Sequence, residues 1–155
     1  MAAVEKSKIQ VGAKRVAKAD PATVYEIAAY SPGYPEWGTI GSFEEVRPGA
    51  TERYGSGSER IYRTGPFTIR EEVVDANKPC RVSYSLLSGF PLRDYLGEID
   101  IAPEGDGTLI HWHSSFNPPM GFGWFWKLFM QNVISTMTDA LVKEAERVAG
   151  EKKAA

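Results

Sequence analysis

Between Gly57 and Pro119 the chain alternates apolar and polar residues in runs separated by turn-forming residues, a pattern that predicts successive β-strands. The runs are Ser58–Arg63, Phe67–Val74, Arg81–Leu87, Leu92–Ile101 and Thr108–Phe116. Gly65-Pro66, Asn77-Lys78-Pro79, Ser88-Gly89 and Gly105-Asp106-Gly107 divide them. Such short separators predict an antiparallel meander. Upstream, Lys8–Ala19 alternates loosely and reads as a first strand. Asp20 then supplies a helix N-cap and Pro21 the first helical position. The helix Ala22–Ala29 places Val24, Ile27 and Ala28 on one face and stops before Ser31-Pro32-Gly33. Tyr34–Gly38 reads as a second short helix or turn, and Thr39–Arg47 as a further strand.

The period changes at Gly123. Trp126, Met130, Val133, Met137, Leu141 and Val148 recur roughly every three to four residues. Thr136, Asp139, Lys143 and Glu146 fall between them and face water. A helix of about 25 residues would be about 37 Å long and would span the sheet. The order is one strand, two short helices, six strands and a long C-terminal helix. The class is α+β, with one domain over residues 1–155 and its core at about 9–149.

Alternation puts Arg60, Glu71, Tyr84 and Trp112 on the same side as the apolar residues. Charges there are costly unless paired or solvated, so that side is expected to line a cavity. If Gly65-Pro66 is a two-residue turn, Thr64 faces Phe67 and Arg60 pairs with Glu71, with Tyr62 and Ile69 between them. The pair either fixes the sheet register or anchors a carboxyl, phosphate or enolate group of an apolar ligand. Tyr84 shares its face with Val82 and Leu86, and Glu71 is its expected partner. In an enzyme, Tyr84 or Glu71 would move protons and Arg60 would act electrostatically. Trp112 shares its face with Ile110, Ser114 and Phe116, while Tyr95 and Ile99 extend the wall. These aromatics either contact a flat or fatty ligand or fill a small core.

His111 and His113 share the opposite strand face, where Glu98 or Asp100 could add a carboxylate. Without a Cys or further His nearby, they are read as solvent-facing, with no metal and no cofactor expected. Nor does a nucleophile-elbow pattern accompany Ser115. In Gly121–Trp126, the ordinary burial of aromatics favours a helix start that caps the core. The alternative is an entrance or a patch for a partner or membrane, with Tyr34–Trp37 closing the same opening. Gly12 and Gly97 are expected to let the sheet bend.

Composition changes little. Hydrophobic residues make up 43% and charged residues 25%, with a net charge of -2, which gives no reason to expect nucleic acid. The lone Cys80 excludes an internal disulfide and a Cys-based metal site, and is expected to be partly buried. No apolar leader or membrane-spanning run is visible, so the expected location is cytoplasmic.

The sequence resembles the helix-grip SRPBCC superfamily, which includes START-type domains. It is most similar to the bacterial polyketide cyclase/dehydrase and lipid-transport family. The residues that carry the likeness are Ala19–Tyr25, Tyr34–Trp37, Gly57–Arg60, Glu71, Pro79 and Tyr84, then Pro91-Leu92, Tyr95–Gly97, Gly105–Thr108, Trp112 and Phe116–Pro119. The resemblance implies a curved antiparallel sheet of about seven strands wrapped around the C-terminal helix, with an apolar cavity between them. Arg60, Glu71 and Tyr84 would be its polar handle. Tyr62, Val82, Tyr95, Trp112, Phe116, Trp126, Met130 and Met137 would be its wall. The implied partner is a small hydrophobic molecule, held by a carrier or sensor that is a monomer or homodimer. The alternatives are a cyclase-like enzyme acting on a poly-carbonyl or aromatic substrate, or an interaction protein whose cavity is filled.

Overall fold

The computed structural model describes residues 8–154; the remaining termini of the expected domain lie outside the described residues. Among the described residues seven antiparallel strands form one sheet: β1 (Ile9–Ala17), β2 (Ser42–Arg47), β3 (Glu59–Thr64), β4 (Phe67–Asn77), β5 (Arg81–Ser88), β6 (Arg93–Glu104) and β7 (Gly107–Asn117). Their order is β1-β7-β6-β5-β4-β3-β2, a continuous meander from β2 to β7 that β1 joins at one edge. Two short helices, α1 (Pro21–Ala29) and α2 (Tyr34–Trp37), follow β1, and α3 (Gly123–Ala154) closes the concave face. This is the helix-grip arrangement.

Local chemistry explains most boundaries. Asp20 caps α1 by accepting a hydrogen bond from Thr23 N, and Pro21 opens the helix. Tyr30 N–H closes the helix end on Glu26 O before the 3₁₀ turn Ser31–Gly33. β2 begins at Ser42, later than the expected Thr39, because Gly41 N first bonds Arg63 O and Thr39 and Ile40 stay outside the ladder. α3 runs for 32 residues, longer than expected, because its polar C-terminal turns remain helical after the apolar period fades.

The core sits between sheet and helix. Met130, Ile134, Met137, Leu141 and Ala145 of α3 are buried in one core cluster with Val73, Tyr84, Ile99, Ile110 and Phe116 of the sheet. Val24, Tyr25 and Ala28 of α1 bury against β5 and β6 and fill one end of the grip. At the other edge, Gly12 presents its backbone N–H and C=O away from β7. The Gln131 side chain meets both, Oε1 accepting from Gly12 N at 3.1 Å and Nε2 donating to Gly12 O at 2.8 Å. One amide thus satisfies an edge that would otherwise offer free backbone groups.

Candidate functional site

The two-residue turn at Gly65-Pro66 sets the register of β3 and β4, with Thr64 opposite Phe67, Tyr62 opposite Ile69 and Arg60 opposite Glu71. Their alternate side chains enter a pocket of about 220 Å³ between sheet and α3. Its buried floor includes Arg60, Tyr62, Tyr84, Tyr95 and Trp112. Thr39, Ile40, Thr64, Phe67, Phe90, Phe129 and Val133 keep partial exposure and form its rim.

Arg60 is held from several sides. Glu71 Oε1 lies 3.1 Å from its Nε and 3.0 Å from its Nη2, and Ser31 Oγ accepts from Nη1 at 2.8 Å. The rings of Tyr34, Tyr62 and Tyr84 stand 5.4, 5.0 and 5.3 Å from its guanidinium carbon, within cation–π range. Only 3% of its side chain is exposed, against 12% for Glu71. Both Arg60 contacts fall on the same Glu71 oxygen, and among the described residues Oε2 has no hydrogen-bond partner. The polar group that the pair offers to the pocket is therefore a carboxylate oxygen, an acceptor. Burial pushes the Glu71 carboxyl above the ordinary carboxylate range, against the pull of Arg60.

Tyr84 does not bond to Glu71. Register puts Val73, not Glu71, opposite Tyr84, and its hydroxyl accepts a bond from Trp112 Nε1 at 2.9 Å. The expected Glu71 partner is replaced by an indole two strands away. Burial raises the phenols of Tyr34 and Tyr95 to about 12 and those of Tyr62 and Tyr84 well above their ordinary value. All four are neutral near pH 7, and Tyr84 keeps its own proton to donate.

Of the expected residues, Arg60, Tyr62, Glu71, Tyr84, Tyr95, Trp112, Met130 and Met137 line the pocket. Val82, Phe116 and Trp126 do not. Val82 is buried in the core of the sheet and does not reach the pocket. Phe116 is stacked on Tyr95 at 6.0 Å, and Trp126 packs on Phe90 and Phe129. Tyr34, Phe67, Ile69, Leu86, Phe90 and Val133 are lining residues absent from the expected set. Tyr34 is wall, not gate: it is buried, stacks on Tyr62 at 5.3 Å, and donates to Ala28 O at 2.6 Å.

Three further expectations are corrected. Phe122, Trp124 and Phe125 are exposed, not packed as a cap on the core: Phe122 precedes α3, and Trp124 and Phe125 lie on its first turn. Cys80 is exposed, since the turn before β5 holds it outside the sheet. His111 and His113 do face outward, but as half-buried groups, with His113 Nε2 2.7 Å from Asp100 Oδ2.

The chain belongs to the family described as polyketide cyclase/dehydrase and lipid transport, whose model matches residues 8–149. No curated protein matches it. Solved structures share its fold at low identity. A START superfamily protein from Mycobacterium smegmatis has a TM-score of 0.78 at 16% identity, covering 90% of this chain and 98% of its own. A Thermus thermophilus protein has a TM-score of 0.69 at 22% identity, covering 91% and 99%. Norcoclaurine synthase from Thalictrum flavum, in complex with dopamine and hydroxybenzaldehyde, has a TM-score of 0.70 at 15% identity, covering 88% and 87%. Among the described residues no helix is long and apolar enough to cross a membrane.

Proposed function

We propose that this chain is a carrier or sensor for a small, mainly apolar molecule with one hydroxyl or amine group, held in the pocket between sheet and α3. The observation that carries this reading is the Glu71 carboxylate, whose second oxygen has no partner among the described residues in an otherwise aromatic and aliphatic pocket. An acceptor that lines an apolar pocket without a protein partner favours a ligand that brings a donor. Arg60 is already engaged by Glu71 and Ser31, so a carboxylate or phosphate ligand would have to displace an existing partner. At about 220 Å³ the pocket lies below the roughly 300–1,000 Å³ of drug-sized sites, which favours a one-ring or short-chain ligand. The Thalictrum enzyme, similar in fold, is in complex with two ligands of this small aromatic kind.

The test combines native mass spectrometry of freshly purified protein with calorimetric titration of dopamine, hydroxybenzaldehyde and a short fatty acid. Saturable 1:1 binding that prefers the hydroxyl- or amine-bearing probes, and that falls by about tenfold in Glu71→Gln, is expected. Absence of any co-purified molecule together with no saturation by any probe would sink the proposal.

A second reading has one observation in its favour: a carboxylate raised by burial and a neutral phenol line the same pocket. That is the arrangement of a base and an acid in a cyclase-like enzyme. Turnover of a poly-carbonyl substrate that is lost in Tyr84→Phe and Glu71→Gln would favour it over a carrier.

A further inference from the structure

The convex face of the sheet, opposite the pocket, carries a second cluster. Asp100 on β6 is directly opposite His111 on β7, and Glu98 is opposite His113. The two imidazoles, two residues apart on one strand, stand with centroids 4.3 Å apart and planes inclined by 27°. His113 Nε2 lies 2.7 Å from Asp100 Oδ2. One nitrogen from each imidazole and one Asp100 oxygen all fall within 4.8 Å of one another. The chain has only two histidines, and both are here.

The neighbouring strand leaves room for them. Gly12 pairs with His113, and a β-carbon there would sit 3.1 Å from His113 Cβ and 3.4 Å from His111 Nε2. A side chain there would crowd the His113 β-carbon and reach contact with the His111 ring. With glycine, a groove lined by Gln10, Gly12, Lys14, Glu98 and the two histidines opens along β1. The three candidate ligands are half-buried, so one side remains open to water.

The carboxylate is also oriented. Arg81 Nε meets Asp100 Oδ1 at 2.5 Å, which leaves Oδ2 as the oxygen turned to the histidines. Arg81 Nη1 and Ser83 Oγ meanwhile hold Glu98 beside the cluster, at 3.3 and 3.1 Å. Fixing one ligand oxygen through a partner on the other is how outer residues position metal ligands.

We propose that Asp100, His111 and His113 form a Zn²⁺ site on the outer face of the sheet, with water completing the shell. Two imidazoles and one carboxylate are a borderline-soft donor set suited to zinc, whereas calcium and magnesium prefer oxygen donors alone. Zinc takes the place of the proton now shared by His113 Nε2 and Asp100 Oδ2. Tetrahedral Zn–N and Zn–O bonds of about 2.0–2.2 Å set ligand atoms about 3.4 Å apart, so side-chain rotation must open the His113–Asp100 pair from 2.7 Å and draw together atoms that now lie within 4.8 Å of one another. The bound ion clasps β6 to β7 on the side of the sheet away from the pocket.

Calorimetry with Zn²⁺ on the untagged full chain tests this, with Co²⁺ as a spectroscopic probe. The expected result is one Zn²⁺ per chain with a dissociation constant of about micromolar or tighter. His111→Asn, His113→Asn and Asp100→Asn should each weaken binding by about tenfold or more. Zn²⁺ should raise the melting temperature of the wild type but not of His113→Asn, whose folding is checked by circular dichroism. The visible bands of bound Co²⁺ should disappear in the same variant. Wild-type affinity weaker than about millimolar, or equal affinity in the two histidine variants and the wild type, would overturn the site. Arg81, Asp100 and His113 would then form only a hydrogen-bonded surface network.

Discussion

The Tyr84 ring crosses directly over Gly97: a β-carbon at Gly97 would lie 2.2 Å from Tyr84 Cζ and 2.5 Å from its hydroxyl. Tyr84, Gly97 and Ser114 are successive partners across β5, β6 and β7. With no side chain on the middle strand, the ring can reach across it to accept the Trp112 N–H. Gly97 therefore provides clearance for a pocket-lining tyrosine, a role beyond the sheet bending expected for it.

Gly97→Ala should consequently displace the Tyr84 ring and break its bond with Trp112. A loss of about 1–3 kcal/mol is expected from such overpacking, measured by urea denaturation. Adding Tyr84→Ala to Gly97→Ala removes the clash, so the second substitution should cost less than Tyr84→Ala alone. Strict additivity in that cycle would show that the two residues do not compete for the same space.

Arg60→Met should leave Glu71 as a buried carboxyl without its cation. Breaking such a pair from one side costs about 3–5 kcal/mol near neutral pH. The sign of its pH dependence follows from Glu71. Its folded pKa already lies above the ordinary value through burial, and loss of Arg60 raises it further. A raised carboxylate pKa favours the folded state most below the unfolded value of about 4.3, and that advantage disappears as pH rises through the folded value. The variant's deficit should therefore be largest at pH 8 and shrink as pH falls toward 4.5, as read from urea midpoints across that range. Arg60→Met combined with Glu71→Met should recover most of the loss at pH 8.

The parts of the site visible in the sequence are those fixed by local rules. A two-residue turn and strict alternation determine which residue faces which, so Arg60 and Glu71 could be paired without coordinates. Alternation identifies an inward face but does not divide it between cavity and core. That division depends on what lies above each strand. α1 packs on β5 and β6, and Val82 of β5 is buried core, whereas Leu86 farther along β5 lines the pocket with residues of α3. Tyr34 and Phe90 come from a short helix and a turn, where no period marks an inward side. The Tyr84–Trp112 bond was hidden because it skips a strand, and cross-strand reasoning pairs only neighbours.

Asp20 offers a prediction independent of the pocket. Its side chain accepts from Thr23 N at 2.9 Å, and hydrogen bonding from the Thr23 side chain and then from this N–H holds its carboxyl below the usual carboxylate range. Asp20→Ala should cost about 1 kcal/mol, and Asp20→Asn only a few tenths, because asparagine can still cap. Because the folded pKa is depressed, the contribution is present above the unfolded value of about 3.9 and fades as pH falls through the folded one. Thermal melts of the wild type and Asp20→Ala should therefore differ at pH 7 and converge near pH 2–3. A constant difference over that range would assign the stability to packing.

Val133 lines the rim from α3 and keeps partial exposure, so a larger side chain there extends into empty space before it meets the sheet. Val133→Phe should occupy part of the roughly 220 Å³ pocket, with the melting temperature kept or raised. Binding of hydroxybenzaldehyde, followed by calorimetry, should weaken by about tenfold or more, since a ring-sized probe needs the filled volume. Zn²⁺ binding should be unchanged in the same variant, because Val133 and the Asp100–His111–His113 cluster lie on opposite sides of the sheet. Unchanged affinity for the aromatic probe in Val133→Phe would place its binding elsewhere on the molecule.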